Sequence, residues 1–182
     1  MFFPKLWCLA LTMLVWFPIS VCHAEGEAPF TPAQQAAVQA VEQHKSTILD
    51  ANRKIFEFAE VGLEEYRSAK LLMDQLKESG FQVKSGIAGM PTAFVAEYGS
   101  GKPVIGILAE YDALPGMSQK TSPVRGALSE GKPGHACGHS GLGTGALGAV
   151  LAVKDVMAQK KLPGTIRLYG TPAEETVIGK VY

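Results

Sequence analysis

The first part of the chain has the apolar spacing of amphipathic helices. Residues 33–59 are rich in good helix formers, and their apolar positions predict one or two helices with Pro32 in the first turn. A second apolar stripe predicts a helix over residues 66–79, with Gly80 after its C-terminal end. The apolar positions of the two stripes are Val38, Val41, Ile48, Ile55 and Phe58, and then Tyr66, Ala69, Leu72, Met73 and Leu76.

From Phe81 onward the pattern changes to that of short β-strands. The runs FQVKSGIAG, TAFVAEYGSG and PVIGILAEYDALPG are rich in strand-forming residues and are separated by glycine and proline. The GSGK segment between the last two runs predicts an antiparallel hairpin. Residues 104–109 are apolar throughout, which predicts a strand covered on both faces.

A nearly all-apolar helix is predicted between two strands. It follows residues 116–134, a polar loop whose length suggests a function. Residues 142–157 leave almost no polar face, so this helix is expected inside the protein, with Ser140 as its N-cap. A further strand is predicted over residues 165–169. Strand, buried helix and strand in this order are typical of a crossover unit in an α/β sheet.

The N-terminus has the features of a secretory signal. Lys5 is followed by an apolar run over residues 6–17, and Ala24 is a small residue of the kind at which signal peptidases cut. A transmembrane anchor is the alternative, but this run is shorter than the about 20 residues that span a bilayer. Cys22 also raises the possibility of lipoprotein processing, although the bulky Val21 before it argues against that.

Composition is consistent with one exported domain. Removal of residues 1–24 leaves about 158 residues, enough for one domain with its own core, and we expect residues 25–182 in the periplasm or outside the cell. The whole chain has 17 basic and 17 acidic residues, a balance that indicates neither nucleic acid nor an anionic membrane as a partner. Because Cys8 and Cys22 lie in the signal, Cys137 alone remains and has no cysteine with which to form an internal disulfide.

Cys137 and His139 are the first candidate site residues, in the segment GHACGHSGLGTG. They flank one glycine at the start of the predicted buried helix, where backbone N–H groups and the helix dipole favour the thiolate. A thiolate and a neutral imidazole are ligands of zinc. The residues alone leave two alternatives open: a buried cysteine beside a solvent-facing histidine, and a cysteine nucleophile paired with a histidine.

Carboxylates form the second set of candidates. Glu174 and Glu175 follow a predicted strand in TPAEET, where an irregular loop lets one serve as a metal ligand and the other as a base. A solvated acidic loop is the alternative. Asp112 either caps its own turn or orients a ligating imidazole, and Glu110 is a weaker candidate for the second of these roles.

The candidate pairs lie at matching places in the predicted topology. All three fall at or just after the C-terminal ends of strands or at a helix N-terminus, where open α/β sheets place their sites. His135 is a further possible ligand, for which we favour a structural role or a hydrogen bond outside the ligand set. His44, in the first helix, has no predicted role.

Four segments, in this order, resemble the peptidase M-twenty family of metal-dependent amidohydrolases. They are FAEVGLEEYRSA, GILAEYDALPG, GHACGH with its Gly/Ala-rich helix, and GTIRLYGTPAEE, and the branch of the family is the one with aminoacylase-like, hippurate and p-aminobenzoyl-glutamate hydrolases. The resemblance implies a three-layer α/β/α zinc-peptidase-like catalytic domain and two divalent metal ions, with zinc, manganese and cobalt as candidates. It also implies hydrolysis of the amide bond of N-acyl or N-aroyl amino acids or small peptides.

The resemblance implies a role for each matching residue. Cys137 is similar to the ligand that bridges the two ions, His139 to a ligand of one ion, and Glu175 to a ligand of the other. Glu174 is similar to the general base that takes a proton from the attacking water and passes one to the leaving amine. Asp112 is similar to the acidic residue near the ligating histidine.

Two departures from the family bear on function. Ser140 stands where many relatives have aspartate and some have asparagine, which leaves the hydrogen bonds around the ligands open. Family members are also much longer, with two further histidine ligands and a dimer-forming lid domain after the AEE loop. We therefore expect residues 25–182 to be the N-terminal part of the catalytic domain, dimeric only in a longer form. A non-catalytic metal-binding or interaction remnant is the alternative function.

Overall fold

Helices and strands alternate along the chain in a computed structural model that describes residues 29–182. The α/β class predicted from the sequence is confirmed, while the predicted signal at residues 1–24 lies outside the described residues. The elements are α1 (Pro32–Phe58), α2 (Tyr66–Glu78), β1 (Gln82–Ser85), β2 (Phe94–Ser100), β3 (Val104–Ala109), α3 (His139–Lys160), β4 (Gly164–Gly170) and α4 (Glu174–Val177).

The first two helices lie where the apolar spacing predicts them. Residues 32–58 form one continuous helix, capped at its start by the Thr31 side chain, which accepts a hydrogen bond from the Gln34 N–H. Of its predicted apolar stripe, Ile55 is fully buried whereas Val38 and Val41 are exposed. The C-terminal half of α1 therefore contributes most of the apolar contacts.

The four-stranded sheet has the order β1-β2-β4-β3, so the predicted hairpin between β2 and β3 is wrong. β4 lies between these two strands, antiparallel to β2 and parallel to β3. The connection between β2 and β3 instead passes around the start of β4. There Thr165 donates its N–H to the Pro103 carbonyl (2.8 Å) and its hydroxyl to the Gly101 carbonyl (2.9 Å). The glycine-rich turn thus holds β4 in place rather than pairing the strands on either side of it.

The predicted crossover is confirmed, because β3, α3 and β4 form a parallel strand-helix-strand unit. Helices α1, α2 and α3 contact one another on one face of the sheet. His44, to which the sequence assigns no role, links α1 to α3 through a 2.7 Å contact between Nε2 and Asp155 Oδ2. The largest core side chains between the helices and the sheet are Ile55, Leu72, Leu76, Phe94, Tyr111, Leu147, Leu151 and Leu168.

β3 is an edge strand, and the expectation that both of its faces are covered is wrong. Val104, Ile105 and Leu108 are each about half exposed, at 49%, 56% and 53%. An apolar run is typical of a strand in the middle of a parallel sheet, but β3 has a neighbour on one side only among residues 29–182. The described part of the chain therefore presents an apolar strip along this edge.

Helix α3 begins at His139, earlier than the pattern predicts, and Ser140 is not its N-cap. Gly138 takes that position with φ 95°, a left-handed conformation that glycine adopts most readily. Ser140 is buried in the first turn instead. By length and composition α3 is able to cross a membrane, yet half of its apolar window is buried in the protein, as in the core helix of a soluble fold.

Glycine at position 143 lets α3 approach the end of β3, and Gly143→Ala is expected to destabilise the fold. A Cβ at this position would lie 2.5 Å from the Glu110 carbonyl oxygen, so we expect a loss of about 1–3 kcal/mol in the free energy of unfolding. Gly145→Ala is the matched control in the same helix, since no atom lies within 4 Å of its added Cβ. It should raise stability by up to about 1 kcal/mol. Urea unfolding of both variants checks this, and equal effects would contradict it.

Candidate metal centre

The predicted site residues meet at one edge of the sheet. Asp112 follows β3, His139 is the first residue of α3, and Glu174 and Glu175 form the first turn of α4 just after β4. The carboxyl ends of the parallel strands β3 and β4 lie at the same edge, and α3 begins there as well. The topology therefore brings together residues that are far apart in sequence.

Asp112 fixes the orientation of the His139 ring. Its Oδ1 lies 2.8 Å from His139 Nδ1, while its Oδ2 accepts the Glu175 N–H at 2.9 Å. Both side chains are buried. Although burial opposes its ionisation, these hydrogen bonds lower the pKa of Asp112 below its ordinary value. The hydrogen bond with Asp112 in turn raises the pKa of His139 against the effect of its own burial.

The other ring nitrogen of His139 faces three carboxylates. His139 Nε2 lies 3.3 Å from Glu110 Oε2, 3.8 Å from Glu175 Oε1 and 3.9 Å from Glu174 Oε2. Because Asp112 holds Nδ1, Nε2 is the nitrogen free to bind a metal ion. Glu110, a weak candidate in the sequence, is the carboxylate nearest to that nitrogen.

Two groups of side chains have donor atoms close enough to hold an ion. Cys137, His139 and Glu175 form one group, and Glu110, His139 and Glu174 form the other, with the donor atoms of each within 4.8 Å of one another. Glu175 Oε1 is buried and has no hydrogen-bond partner, which is costly unless another ligand satisfies it. Thiolate, imidazole and carboxylate together suit a borderline-soft divalent ion such as zinc, so the residues present fit the implied metal.

The expectation that the helix start favours the Cys137 thiolate is wrong for the protein alone. The neighbouring Glu175 carboxylate raises the pKa of the Cys137 thiol, and the charges of Glu174 and Glu110 raise it further. Three nearby negative charges outweigh the partial positive charge of the helix end. Cys137 is also exposed rather than buried, which contradicts the buried-cysteine alternative.

His135 and Ser140 lie outside both groups of possible ligands. His135 Nε2 contacts the Ile55 carbonyl at the end of α1 (3.0 Å), and burial lowers the pKa of this histidine. Ser140 accepts a hydrogen bond at its carbonyl from the Thr144 hydroxyl (2.7 Å). Both contacts hold the start of α3 and the loop before it.

Glu65 is a buried residue beneath the site that the sequence reasoning did not single out. Its carboxylate accepts the Ala173 N–H at 2.7 Å and the Thr92 hydroxyl at 2.9 Å, and the Thr92 carbonyl accepts the Tyr111 hydroxyl at 2.7 Å. Ala173 is held with φ 57°, a strained conformation for alanine. Glu65 thereby fixes the residue that directly precedes Glu174. Its position within the segment GLEEYRSA was the available sequence signal.

Lys180 is the second residue that the sequence reasoning missed. Its Nζ lies 2.9 Å from Glu110 Oε1 and 2.8 Å from Glu174 Oε1. It follows α4 in a 3₁₀ turn at Gly179–Val181. No sequence pattern around it signals this contact, because the contact depends on the path of the chain after α4.

These features define a class of α/β hydrolase-like metal centre at the carboxyl ends of parallel strands, and comparison with known proteins identifies the family. Residues 106–181 match the model of peptidase family M20/M25/M40. The chain is 40% identical over 144 residues to a p-aminobenzoyl-glutamate hydrolase protein of Escherichia coli and 35% identical over 126 residues to the hippurate hydrolase of Campylobacter jejuni. The chain belongs to this peptidase family.

These matches cover most of this chain and about a third of each relative. The shares are 79% of this chain and 30% of the Escherichia coli protein, and 68% of this chain and 31% of the Campylobacter jejuni protein. Among solved structures, a Bacillus subtilis dinuclear metal-binding peptidase of the M20 family is 27% identical, with a TM-score of 0.61 over 74% of this chain and 36% of that one. The chain thus corresponds to part of the length of these relatives.

Proposed function

We propose that this chain contributes to metal-dependent hydrolysis of the amide bond of N-acyl or N-aroyl amino acids or small peptides. The observation that carries the proposal is the His139 ring, held by Asp112 on one side and facing Glu110, Glu174 and Glu175 on the other. The names of the hydrolase relatives and of the dinuclear peptidase support it. The signal-like residues 1–24 support export to the periplasm or outside the cell.

Each residue has a defined task in this proposal. Cys137, His139 and Glu175 hold one divalent ion, and Glu110 joins His139 and Glu174 toward a second. When bound, the ions supply the Lewis acidity that activates water and polarises the substrate carbonyl. Glu174 takes a proton from the attacking water and returns one to the leaving amine.

Space for a substrate lies beside this centre. Residues of the loop 116–130 and Ala136, which precedes Cys137, line a cavity of about 740 Å³. Lys120 and Arg125 are among the lining residues, and their positive charges suit a substrate that carries a carboxylate, as acylated amino acids do. The loop predicted to be functional from its length is therefore the proposed substrate wall.

A second candidate function is metal binding without turnover. The contacts of Lys180 with Glu110 and Glu174 favour it, because they occupy the proposed base and a proposed ligand. A cysteine nucleophile is disfavoured, because the raised pKa of Cys137 lowers the population of the reactive thiolate. Hydrolysis that survives exhaustive treatment with EDTA would argue for the nucleophile and against the metal mechanism.

Cobalt(II) titration tests the metal centre directly. If Cys137 is a ligand, the protein should show a near-ultraviolet sulfur-to-cobalt charge-transfer band that disappears in Cys137→Ser together with much of the bound metal. Cys137→Asp should keep more metal than Cys137→Ser, because a carboxylate also binds divalent ions. Equal metal content in the wild type and Cys137→Ala would refute the assignment.

A further inference from the structure

Lys180 shares its two partners with the second group of possible metal ligands. Its ammonium contacts the Oε1 atoms of Glu110 and Glu174, at 2.9 and 2.8 Å. The Oε2 atoms of the same two carboxylates face His139 Nε2, at 3.3 and 3.9 Å. The ammonium therefore lies against the two carboxylates that a second ion would need.

The backbone holds Lys180 at this place. Gly179 is buried against the Pro172 carbonyl, so closely that a Cβ at this position would overlap with it. The Gly179 N–H also points to the Ala173 carbonyl at 3.4 Å. The chain after α4 thus turns back over the residues that precede Glu174, and this turn directs Lys180 toward the acidic cluster.

The charges of the site favour this arrangement. Glu110 and Glu174 are partly buried, with side chains 16% and 22% exposed, and Lys180 is 33% exposed. Like-charge repulsion between the two carboxylates is relieved by a cation placed between them. The hydrogen bonds with Glu110 and then Glu174 raise the pKa of Lys180, so it stays charged.

We propose that Lys180 is a tethered cation that competes with a divalent ion for the Glu110 and Glu174 carboxylates. The first ion then binds at Cys137, His139 and Glu175, and the second binds only when the ammonium is displaced. Displacement also releases Glu174, the proposed base, from its ion pair. This inference rests on the proposed metal-dependent function.

The size of the effect follows from the ion pairs that must break. Exposed pairs contribute about 0.2–1 kcal/mol each, and an ammonium left near the incoming ion repels it. We therefore expect removal of the charge to increase the affinity for the second ion about tenfold. The first ion has no ligand in contact with Lys180, so its affinity should stay within about twofold, a difference small against a factor of ten.

Calorimetric titration of the whole chain with zinc and with manganese tests the inference. Lys180→Met removes the charge and keeps a side chain of similar length, whereas Lys180→Arg keeps the charge. Lys70→Met is the matched control, because Lys70 pairs with Asp74 on the surface of α2. We expect tighter binding of the second ion in Lys180→Met alone, with unchanged thermal unfolding in all three variants.

The outcomes separate this inference from the proposed function. If the first ion binds but the second has the same affinity in the wild type and Lys180→Met, the tethered-cation role is wrong and the metal centre stands. The same holds if Lys180→Arg gains as much affinity as Lys180→Met. If no variant binds any ion, the metal-dependent function and the role of Lys180 are both overturned.

Discussion

Glu174→Gln is expected to reduce amide hydrolysis by about 10²- to 10⁴-fold, the usual contribution of a general base. Glutamine keeps the shape of the side chain but has no basic oxygen to accept a proton. The ion held by Cys137, His139 and Glu175 should remain, because Glu174 is not in that group of ligands. Turnover of N-acyl amino acids, measured alongside metal content in the active protein, checks both parts of this expectation.

Glu175→Gln is the matched control for this experiment. It should lower metal content as well as turnover, because Glu175 is in the group with Cys137 and His139 and has an unpartnered buried oxygen. Loss of metal in Glu174→Gln together with full metal content in Glu175→Gln would show that the two roles are reversed.

Glu65→Ala is expected to lower the free energy of unfolding by about 2–6 kcal/mol. The change leaves the Ala173 N–H and the Thr92 hydroxyl without their buried acceptor, and each unsatisfied group costs about 1–3 kcal/mol. Because Ala173 directly precedes Glu174, metal affinity should fall as well. Urea unfolding and cobalt titration measure the two effects, and unchanged metal affinity would show that Glu65 does not position the site.

Glu65→Gln separates the hydrogen bonds of Glu65 from its charge. Glutamine still offers an oxygen to Ala173, so its metal binding should resemble that of the wild type. Burial raises the pKa of Glu65 above its ordinary value of 4.5, so the folded state holds the proton more tightly than the unfolded state. The contribution of the wild-type carboxyl is thus greatest below pH 4.5 and is lost as the pH rises through the folded pKa.

Unfolding measurements at several pH values follow from this sign. The stability of Glu65→Gln relative to the wild type should improve from pH 4 to pH 7, because the amide has no charge to bury. A difference that stays constant over this range would contradict the raised pKa.

The sequence pattern predicted which elements form, but not which strands are neighbours. Period and turn residues locate α2, β2 and β4 because both are local properties of the chain. The pairing of β4 with β2 depends on contacts between residues about seventy positions apart, such as Phe94 with Gly170. The apolar composition of β3 likewise does not show whether the strand lies inside the sheet or at its edge.

The candidate site was predicted better by residue type than by environment. The structure brings Cys137, His139 and Glu175 together, as the proposed metal centre requires. The raised pKa of Cys137 could not be foreseen, because it depends on carboxylates that arrive from another part of the chain. Lys180 was missed for the same reason, since it contacts Glu110, 70 positions away.

The position of β4 between β2 and β3 has a consequence for folding during synthesis. A nascent chain that has emerged as far as α3 can pair β1 with β2, but β3 still lacks its partner. The sheet closes only when residues 164–170 leave the ribosome, and such long-range pairing is slow. Glu174 and Glu175 emerge immediately afterwards, so the central strand and the acidic residues of the site become available almost together. A metal ion in the cell therefore meets only Cys137, His139 and Glu110 until the last strand is in place.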